Sequence, residues 1–349
     1  MSSQRVYVGL IGYGLAGAVF HAPLIRAVPQ LRLAAIATRR EGQVMADHSG
    51  VAVHPTPETL IAEPGIDLVV IASPNETHVP LARAALEAGK HVVVDKPFTN
   101  TSAEADELIA LAARRGRLLS AFQNRRWDAD FRTVRRCIEQ GLLGEVVSYE
   151  AHFDRFRPAI KQGWREQDLP GSGILYDLGA HLIDQALVLF GLPRAVTADL
   201  LAQRPEARTV DYFNLTLDYG RRRAIVRSST LTREPGPRFA VHGDGGSFLK
   251  YGIDGQEEAL KAGKRPGAPD WGREDPRWFG TLVTADGERR VIESLPGAYE
   301  AYYEGIAAAI LDGVPPPVRA EEARDVIRII EAATRSSAER RTIALDRKP

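Results

Sequence analysis

Directly after the apolar run Val6 to Ile11 the chain reads Gly12-Tyr13-Gly14-Leu15-Ala16-Gly17, and a helix-like segment follows. Three glycines at this spacing leave the backbone few alternatives. The first permits a tight turn, the second a close backbone approach to a pyrophosphate, and the third close packing of helix on strand. The helix that opens there points free N–H groups and the positive end of its dipole at the same place. A strand, this turn and a helix predict a dinucleotide-binding βαβ unit, with Gly12, Tyr13, Gly14, Leu15, Ala16 and Gly17 as its phosphate turn.

The alternation continues to about Phe122. Leu31 to Ala37, Val51 to His54, Leu68 to Ala72, Val92 to Val94 and Leu118 to Ala121 are short apolar runs, most of them separated by helical periodicity, which predicts a mostly parallel sheet. In the segment after Asn75, Val79, Ala82, Ala85 and Leu86 recur at helical spacing and Gly89 stops the run. Pro80 is tolerated only in a first turn, so Thr77 is preferred to Asn75 as the start of this helix.

Open α/β sheets bind ligands at the carboxyl ends of their strands. Three further turns reach that edge. The second strand ends at Thr38-Arg39-Arg40, where an NAD site usually carries an acid for the ribose hydroxyl. A hydroxyl and two guanidiniums suit a 2′-phosphate instead, so NADP is the expected cofactor, with NAD, served by Glu41, as the alternative. After the fourth strand come Ser73, Pro74 and Asn75, and His78 lies in the first turn of the next helix. After the fifth come Asp95, Lys96 and Pro97, the proline restraining the lysine's backbone. These seven, with Thr38, Arg39 and Arg40, are the candidate cofactor contacts at this edge.

From Gln123 onward the pattern changes, which predicts domains at 1–122 and 123–349. After a helix ending near Gly141, the residues Val147, Tyr149, Ala151 and Phe153 alternate with polar ones, as do Phe213, Leu215, Leu217 and Tyr219. Ala224 to Leu231, Phe239 to His242 and Ser247 to Lys250 add strands, and Gly243-Asp244-Gly245-Gly246 reads as a hairpin, giving an antiparallel sheet. The stretch from Gly255 to Gly287 reads as a loop insertion with one short helix, and Ala323, Val326, Ile329, Ile330 and Ala333 as an amphipathic helix.

Within this half, Ser172 precedes a helical run in which Asp177 and His181 stand one turn apart beside an apolar stripe of Leu178, Leu182, Ile183 and Ala186. A carboxylate so placed orients an imidazole and selects its tautomer. Gly179 between them costs about 1 kcal/mol of helix propensity against alanine, for which close approach of a cofactor or substrate is one explanation. Asn124, Arg155, Arg157 and Trp164 lie on flanking segments and join Lys96, Asp177 and His181 as candidate substrate contacts.

The totals narrow the class. With 45 basic and 45 acidic residues the chain lacks the excess charge of a nucleic-acid binder. Its one cysteine, Cys137, offers neither an intrachain disulfide nor a thiolate metal cluster, and no metal is expected. No apolar run approaches the ~18 residues of a membrane helix. Met1-Ser2-Ser3-Gln4-Arg5 leads straight into a strand with no signal-peptide core, so a cytoplasmic protein is expected.

The glycine turn, the Asp95-Lys96-Pro97 strand end and Asp177-Leu178-Gly179-Ala180-His181, in this order and spacing, resemble the glucose-fructose oxidoreductase and inositol dehydrogenase family, often called Gfo/Idh/MocA. The resemblance implies an α/β fold, an amino-terminal Rossmann domain followed by an α+β domain with a large, open-faced, mainly antiparallel sheet. It implies pairing of such sheets into a homodimer or homotetramer. It also implies hydride transfer between a nicotinamide and a sugar, inositol or related polyol, with Lys96, Asp177 and His181 as the catalytic groups and either His181 or Lys96 carrying the proton. Asp95 stands where the family usually has glutamate, and the lysine–proline bond is often cis in the family. Thr38-Arg39-Arg40, Asn124-Arg125-Arg126-Trp127-Asp128 and Trp164-Arg165-Glu166 place the chain nearest to NADP-preferring inositol-type dehydrogenases. A nicotinamide-binding sensor or co-regulator without turnover, and a glycosidase or eliminase that keeps its nicotinamide bound, are the alternatives on the same fold.

Overall fold

The computed structural model of the chain describes residues 5–345; the amino-terminal reading of Met1 to Gln4 lies outside them. The chain forms two compact units. Among the described residues, the first runs to Trp127 and takes in Gly255–Gly272 and Ala298–Arg324; the second comprises Asp128–Asp254, Arg273–Gly297 and residues 325–345. The expected division at 122/123 is thus a division in sequence order, from which the compact units differ by their returning segments. The physical reason lies in the first core, where Leu260, Trp271, Tyr299, Tyr302, Tyr303 and Ile306 are buried.

In the first unit, strands β1 (Val6–Ile11), β2 (Leu31–Ala37), β3 (Ala52–His54), β4 (Leu68–Ile71), β5 (His91–Val94) and β6 (Leu119–Ala121) form one sheet in the order β3-β2-β1-β4-β5-β6. All neighbouring pairs are parallel. Helices α1 (Ala22–Ala27), α2 (Glu41–Asp47), α3 (Pro57–Ile61), α4 (His78–Glu87) and α5 (Ser102–Arg115) lie between the strands in the chain. Two interior strands, β4 and β5, explain the apolar runs: every residue of Leu68–Ile71, and Val92, Val93 and Val94, is fully buried. Local signals agree. Thr101 and Glu104 form a capping box at the start of α5, and Gly116 ends it in the left-handed conformation at φ +60°. The strand order reverses between β1 and β4, and the turns leaving both strands open at that switch point.

In the second unit, α6 (Ala129–Glu139) precedes β7 (Val146–His152), and α7 (Ala180–Phe190) precedes β8 (Ala195–Leu201), β9 (Tyr212–Asp218), β10 (Arg223–Ser229), β11 (Phe239–Gly243) and β12 (Gly246–Lys250). With β13 (Gly280–Thr284), β14 (Arg289–Ile292) and β15 (Ile343–Ala344) they make a nine-stranded sheet in the order β14-β13-β12-β11-β7-β10-β9-β8-β15. Strands β7 and β10 run parallel; the other neighbours are antiparallel. One face supplies Tyr149, Ala151, Phe213, Leu215, Leu217, Val226, Phe239, Val241 and Phe248 to the core. The other carries Ser148, Glu150, Thr216 and Arg227. Of the remaining helices, α8 (Gln256–Lys261) and α9 (Glu300–Leu311) belong to the first unit, and the apolar stripe of α10 (Ala320–Glu339) is buried as its periodicity predicts.

Two expectations change here. The stretch from Gly255 to Gly287 is not one loop insertion: it contains α8, a short 3-10 turn at Pro276–Trp278 and strand β13. The helix bearing Asp177 is not a plain α-helix either. It passes through a π segment, Leu175–Gly179, whose hydrogen bonds span i to i+5, before α7 begins.

Candidate cofactor and catalytic sites

The turn after β1 needs two of its three glycines for its own packing. Gly12 has φ +96°, and a Cβ there would stand 2.4 Å from the carbonyl oxygen of Ala72. A Cβ on Gly17 would stand 2.1 Å from the carbonyl oxygen of Gly12, so only glycine lets the helix close onto the turn. Gly14 is different, with nothing within 4 Å of its Cβ position. The chain does not itself require glycine there, and the bare backbone leaves room for a pyrophosphate to approach. Ala16 opens a π turn, Ala16–His21, and Leu15 beside it is 62% exposed. The Tyr13 side chain turns away into the core, where its hydroxyl donates to Asp47 Oδ2 at 2.8 Å and lies 2.9 Å from His48 Nε2. Burial, then the bond to Asp47, pushes its phenol above the usual range. Tyr13 therefore has only its main chain to offer a cofactor.

At the end of β2, Arg39 and Arg40 are both exposed. The Arg40 backbone N–H donates to Thr38 Oγ1 at 3.1 Å, and its guanidinium reaches the carbonyl oxygen of Tyr13 at 3.4 Å. Thr38 thus shapes the turn with its oxygen, while Arg40 is drawn toward the glycine turn. Glu41 is the first residue of α2 and is exposed, one turn of chain beyond the strand end where an acid would serve a ribose.

The turns after β4 and β5 are joined by a histidine. His78 is 1% exposed, with Nδ1 2.9 Å from the carbonyl oxygen of Pro97 and Nε2 3.0 Å from that of Ser73. Carbonyls only accept, so a neutral ring bonds one of them and an imidazolium both. Burial pulls the His78 pKa down, against the raising charge of Asp95. His78 is thus corrected from a cofactor contact to an internal tie that holds both turns. Ser73 Oγ and Thr77 Oγ1 lie 2.6 Å apart, and the Thr77 hydroxyl donates back to the carbonyl oxygen of Pro74 rather than capping α4. Asn75 is buried in the same turn.

Lys96 is half-buried and precedes Pro97 through a cis peptide bond. Its backbone N–H donates to Asp95 Oδ1 at 2.8 Å. Asp95 Oδ2 lies 3.7 Å from Nε2 of His21, whose Nδ1 lies 2.6 Å from the Tyr303 hydroxyl. Burial raises the Asp95 pKa, and His21 and Lys96 outweigh it, holding the carboxyl below its usual range. Sequence reasoning missed His21 and Tyr303. The signal for His21 was a polar residue inside Val19-Phe20-His21-Ala22-Pro23; Tyr303 comes from a distant return of the chain. Asn124 is buried in a 3-10 turn of this first unit rather than belonging with the second.

In the second unit, His181 is 5% exposed in the first turn of α7, and Asp177 stands four residues earlier in the π segment. A Cβ on Gly179 would lie 2.9 Å from Leu175 Cδ1 and 3.3 Å from Phe213 Cζ. Its propensity cost is therefore explained by packing on β9, not by a ligand. Arg165, on the short turn Trp164–Glu166, brings Nε to 3.6 Å from Asp177 Oδ1 and stacks over the Trp164 ring at 4.7 Å. The Arg155 guanidinium sits 5.0 Å from the Phe153 ring, and Arg157 is exposed beyond it. The structure thus groups Trp164 with Asp177 through Arg165 and leaves Arg155 on an aromatic face.

Two family models match the chain in sequence order: an oxidoreductase-family NAD-binding Rossmann fold over residues 6–123 and the oxidoreductase-family C-terminal alpha/beta domain over 135–345. The chain belongs to the Gfo/Idh/MocA family. This Gfo/Idh/MocA protein is 51% identical over 346 residues to YdgJ, an uncharacterised oxidoreductase of Escherichia coli, covering 98% of this chain and 99% of that one. It is 45% identical, over 98% of this chain and 97% of the relative, to the scyllo-inositol 2-dehydrogenase (NADP(+)) IolW of Bacillus subtilis. The solved structure of yvaA from Bacillus subtilis superimposes with a TM-score of 0.94 at 44% identity, covering 98% of this chain and 100% of that one. The family assignment makes the first unit's parallel sheet an NAD(P)-binding Rossmann fold and the protein an NAD(P)-dependent oxidoreductase. The bare Gly14 position and the turns gathered at the strand ends fit that cofactor. Among the described residues, no helix of this Gfo/Idh/MocA protein is long and apolar enough to cross a membrane.

Proposed function

We propose that the protein is an NADP-dependent dehydrogenase that oxidises a ring hydroxyl of an inositol or closely related polyol. The observation that carries the cofactor half is the pair of exposed arginines at the end of β2, one of them reaching the main chain of the glycine turn. The similarity to the inositol dehydrogenase IolW over nearly the whole chain supports the substrate half.

Gly12, Gly14, Leu15, Ala16 and Gly17, with the Tyr13 main chain, hold the pyrophosphate; Thr38, Arg39 and Arg40 take the 2′-phosphate; Ser73, Pro74, Asn75, Asp95 and Pro97 border the nicotinamide half. When bound, NADP supplies the hydride acceptor. His181 removes the hydroxyl proton, and Asp177 orients the imidazole and selects its tautomer. Lys96 stabilises the developing alkoxide charge. Asn124 and Trp164 orient the ring, because polyol hydroxyls need several donors and acceptors, and Arg155 and Arg157 complete the substrate side. The partner is a small polyol, the protein acts in the cytoplasm, and the strand face bearing Ser148, Glu150, Thr216 and Arg227 joins two copies into a homodimer or homotetramer.

The test is kcat/KM for inositols, aldoses and sugar acids with each nicotinamide, for the wild type and Arg40→Ala. The expected result is an inositol substrate preferred with NADP, and a KM for NADP raised about tenfold by the variant, the loss of one charge-assisted bond, with the KM for NAD little changed. A wild type that prefers NAD, or a variant that weakens both nicotinamides alike, sinks the assignment.

A further inference from the structure

The second unit contains a buried arginine with no place in the reaction above. Arg204 follows β8 and is 3% exposed. Its Nε donates to Asp211 Oδ2 at 2.8 Å and its Nη2 to Glu166 Oε2 at 2.6 Å. Its Nη1 reaches the carbonyl oxygens of Arg157 at 3.4 Å and Ala159 at 3.3 Å. Asp211 is fully buried and is itself fixed, accepting the backbone N–H groups of Gln203 at 2.6 Å and Arg204 at 3.1 Å. A guanidinium has five donors in a rigid plane, and here each edge of the plane meets an acceptor.

The acceptors are informative by where they sit. Asp211 anchors the arginine; the other three belong to the stretch from Arg157 to Glu166, which has no helix or strand of its own apart from the turn Trp164–Glu166. Beyond its first N–H, that of Arg157, which donates to the carbonyl oxygen of Thr230 at 2.7 Å, such a segment takes its shape from whatever side chains hold it. Arg204 grips both of its ends, and the far grip, Glu166, directly follows Trp164 and Arg165. Arg165 in turn faces Asp177.

We propose that Arg204 is a positioning residue that fixes the Arg157–Glu166 segment so that Trp164 and Arg165 form the polyol-recognition element beside Asp177. The inference rests on the functional reading of Asp177 and His181. It assigns Arg204 to polyol binding and leaves both hydride transfer and cofactor binding to other residues. Lysine cannot replace it, because one ammonium cannot span two carboxylates and two carbonyls.

Arg204→Lys and Glu166→Gln test this, the second leaving the buried Arg204–Asp211 pair intact should the first fold poorly. Three readouts are taken: KM for the preferred inositol, KM for NADP with kcat, and the rate of trypsin cleavage after Lys161 and Arg165. Both variants are expected to raise the inositol KM about tenfold, the worth of one lost charge-assisted bond, with kcat and the NADP KM within about threefold and cleavage faster. Faster cleavage with an unchanged inositol KM overturns the proposal, because the segment is then loosened without consequence for substrate. So do unchanged cleavage, and kcat and both KM values moving together. A wild type that oxidises no polyol is a different failure: it defeats the functional reading and this inference with it.

Discussion

His181→Ala is expected to lower kcat by about 10²- to 10⁴-fold, the usual worth of a positioned general base, while the protein still binds NADP within about threefold of wild type. The imidazole opens α7 and is almost wholly buried, so its removal takes away a group aimed by its helix rather than a surface charge. Its unit carries none of the glycine turn, which separates the two readouts. Asp177→Asn is expected to do less harm, since the amide keeps the shape and loses the charge that steadies an imidazolium. Steady-state rates and a cofactor fluorescence titration measure both effects. Near-normal turnover in His181→Ala contradicts the base assignment.

Lys96→Ala is expected to cost about 10²- to 10³-fold in kcat, the loss typical of removing one preorganised charge from a developing oxyanion. The backbone at Lys96 is unusually well fixed. Val92 to Val94 are fully buried, Asp95 accepts the Lys96 N–H, and His78 ties the following Pro97 carbonyl to the turn after β4. A side chain on such a base loses little freedom on engaging substrate. Lys96→Arg keeps the charge and is expected to recover part of the loss; equal defects in the two variants point to the lysine's proton rather than its charge. Turnover in Lys96→Ala close to wild type removes Lys96 from the mechanism.

The Rossmann half was legible because buried parallel strands leave continuous apolar runs, as at Leu68 to Ile71, and because Gly12 and Gly17 are demanded by atoms of their own chain. The edge strand β14 left no such trace: Arg289, Arg290 and Val291 are exposed, and the strand exists through backbone pairing with β13, to which hydropathy is blind. Gly179 shows a different limit. Its cost was visible in the sequence, but its neighbour Phe213 is brought there by the sheet. His21 and Tyr303 meet across 282 residues of chain, a pairing no local periodicity contains. The candidate residues Lys96, Asp177 and His181 stand out by order and spacing, whereas the ties made by His78 and Arg204 were hidden because their partners are main-chain carbonyls or lie on separate segments.

The central claim is that hydride leaves the polyol carbon for the cofactor as net chemistry. An inositol deuterated at its ring carbons, incubated with NADP and the wild-type protein, tests it directly. The predicted result is one deuterium appearing on the reduced nicotinamide for each ketone formed, with NADPH accumulating in step with substrate consumed. Product that accumulates without labelled NADPH, or cofactor binding with no product at all, contradicts the account.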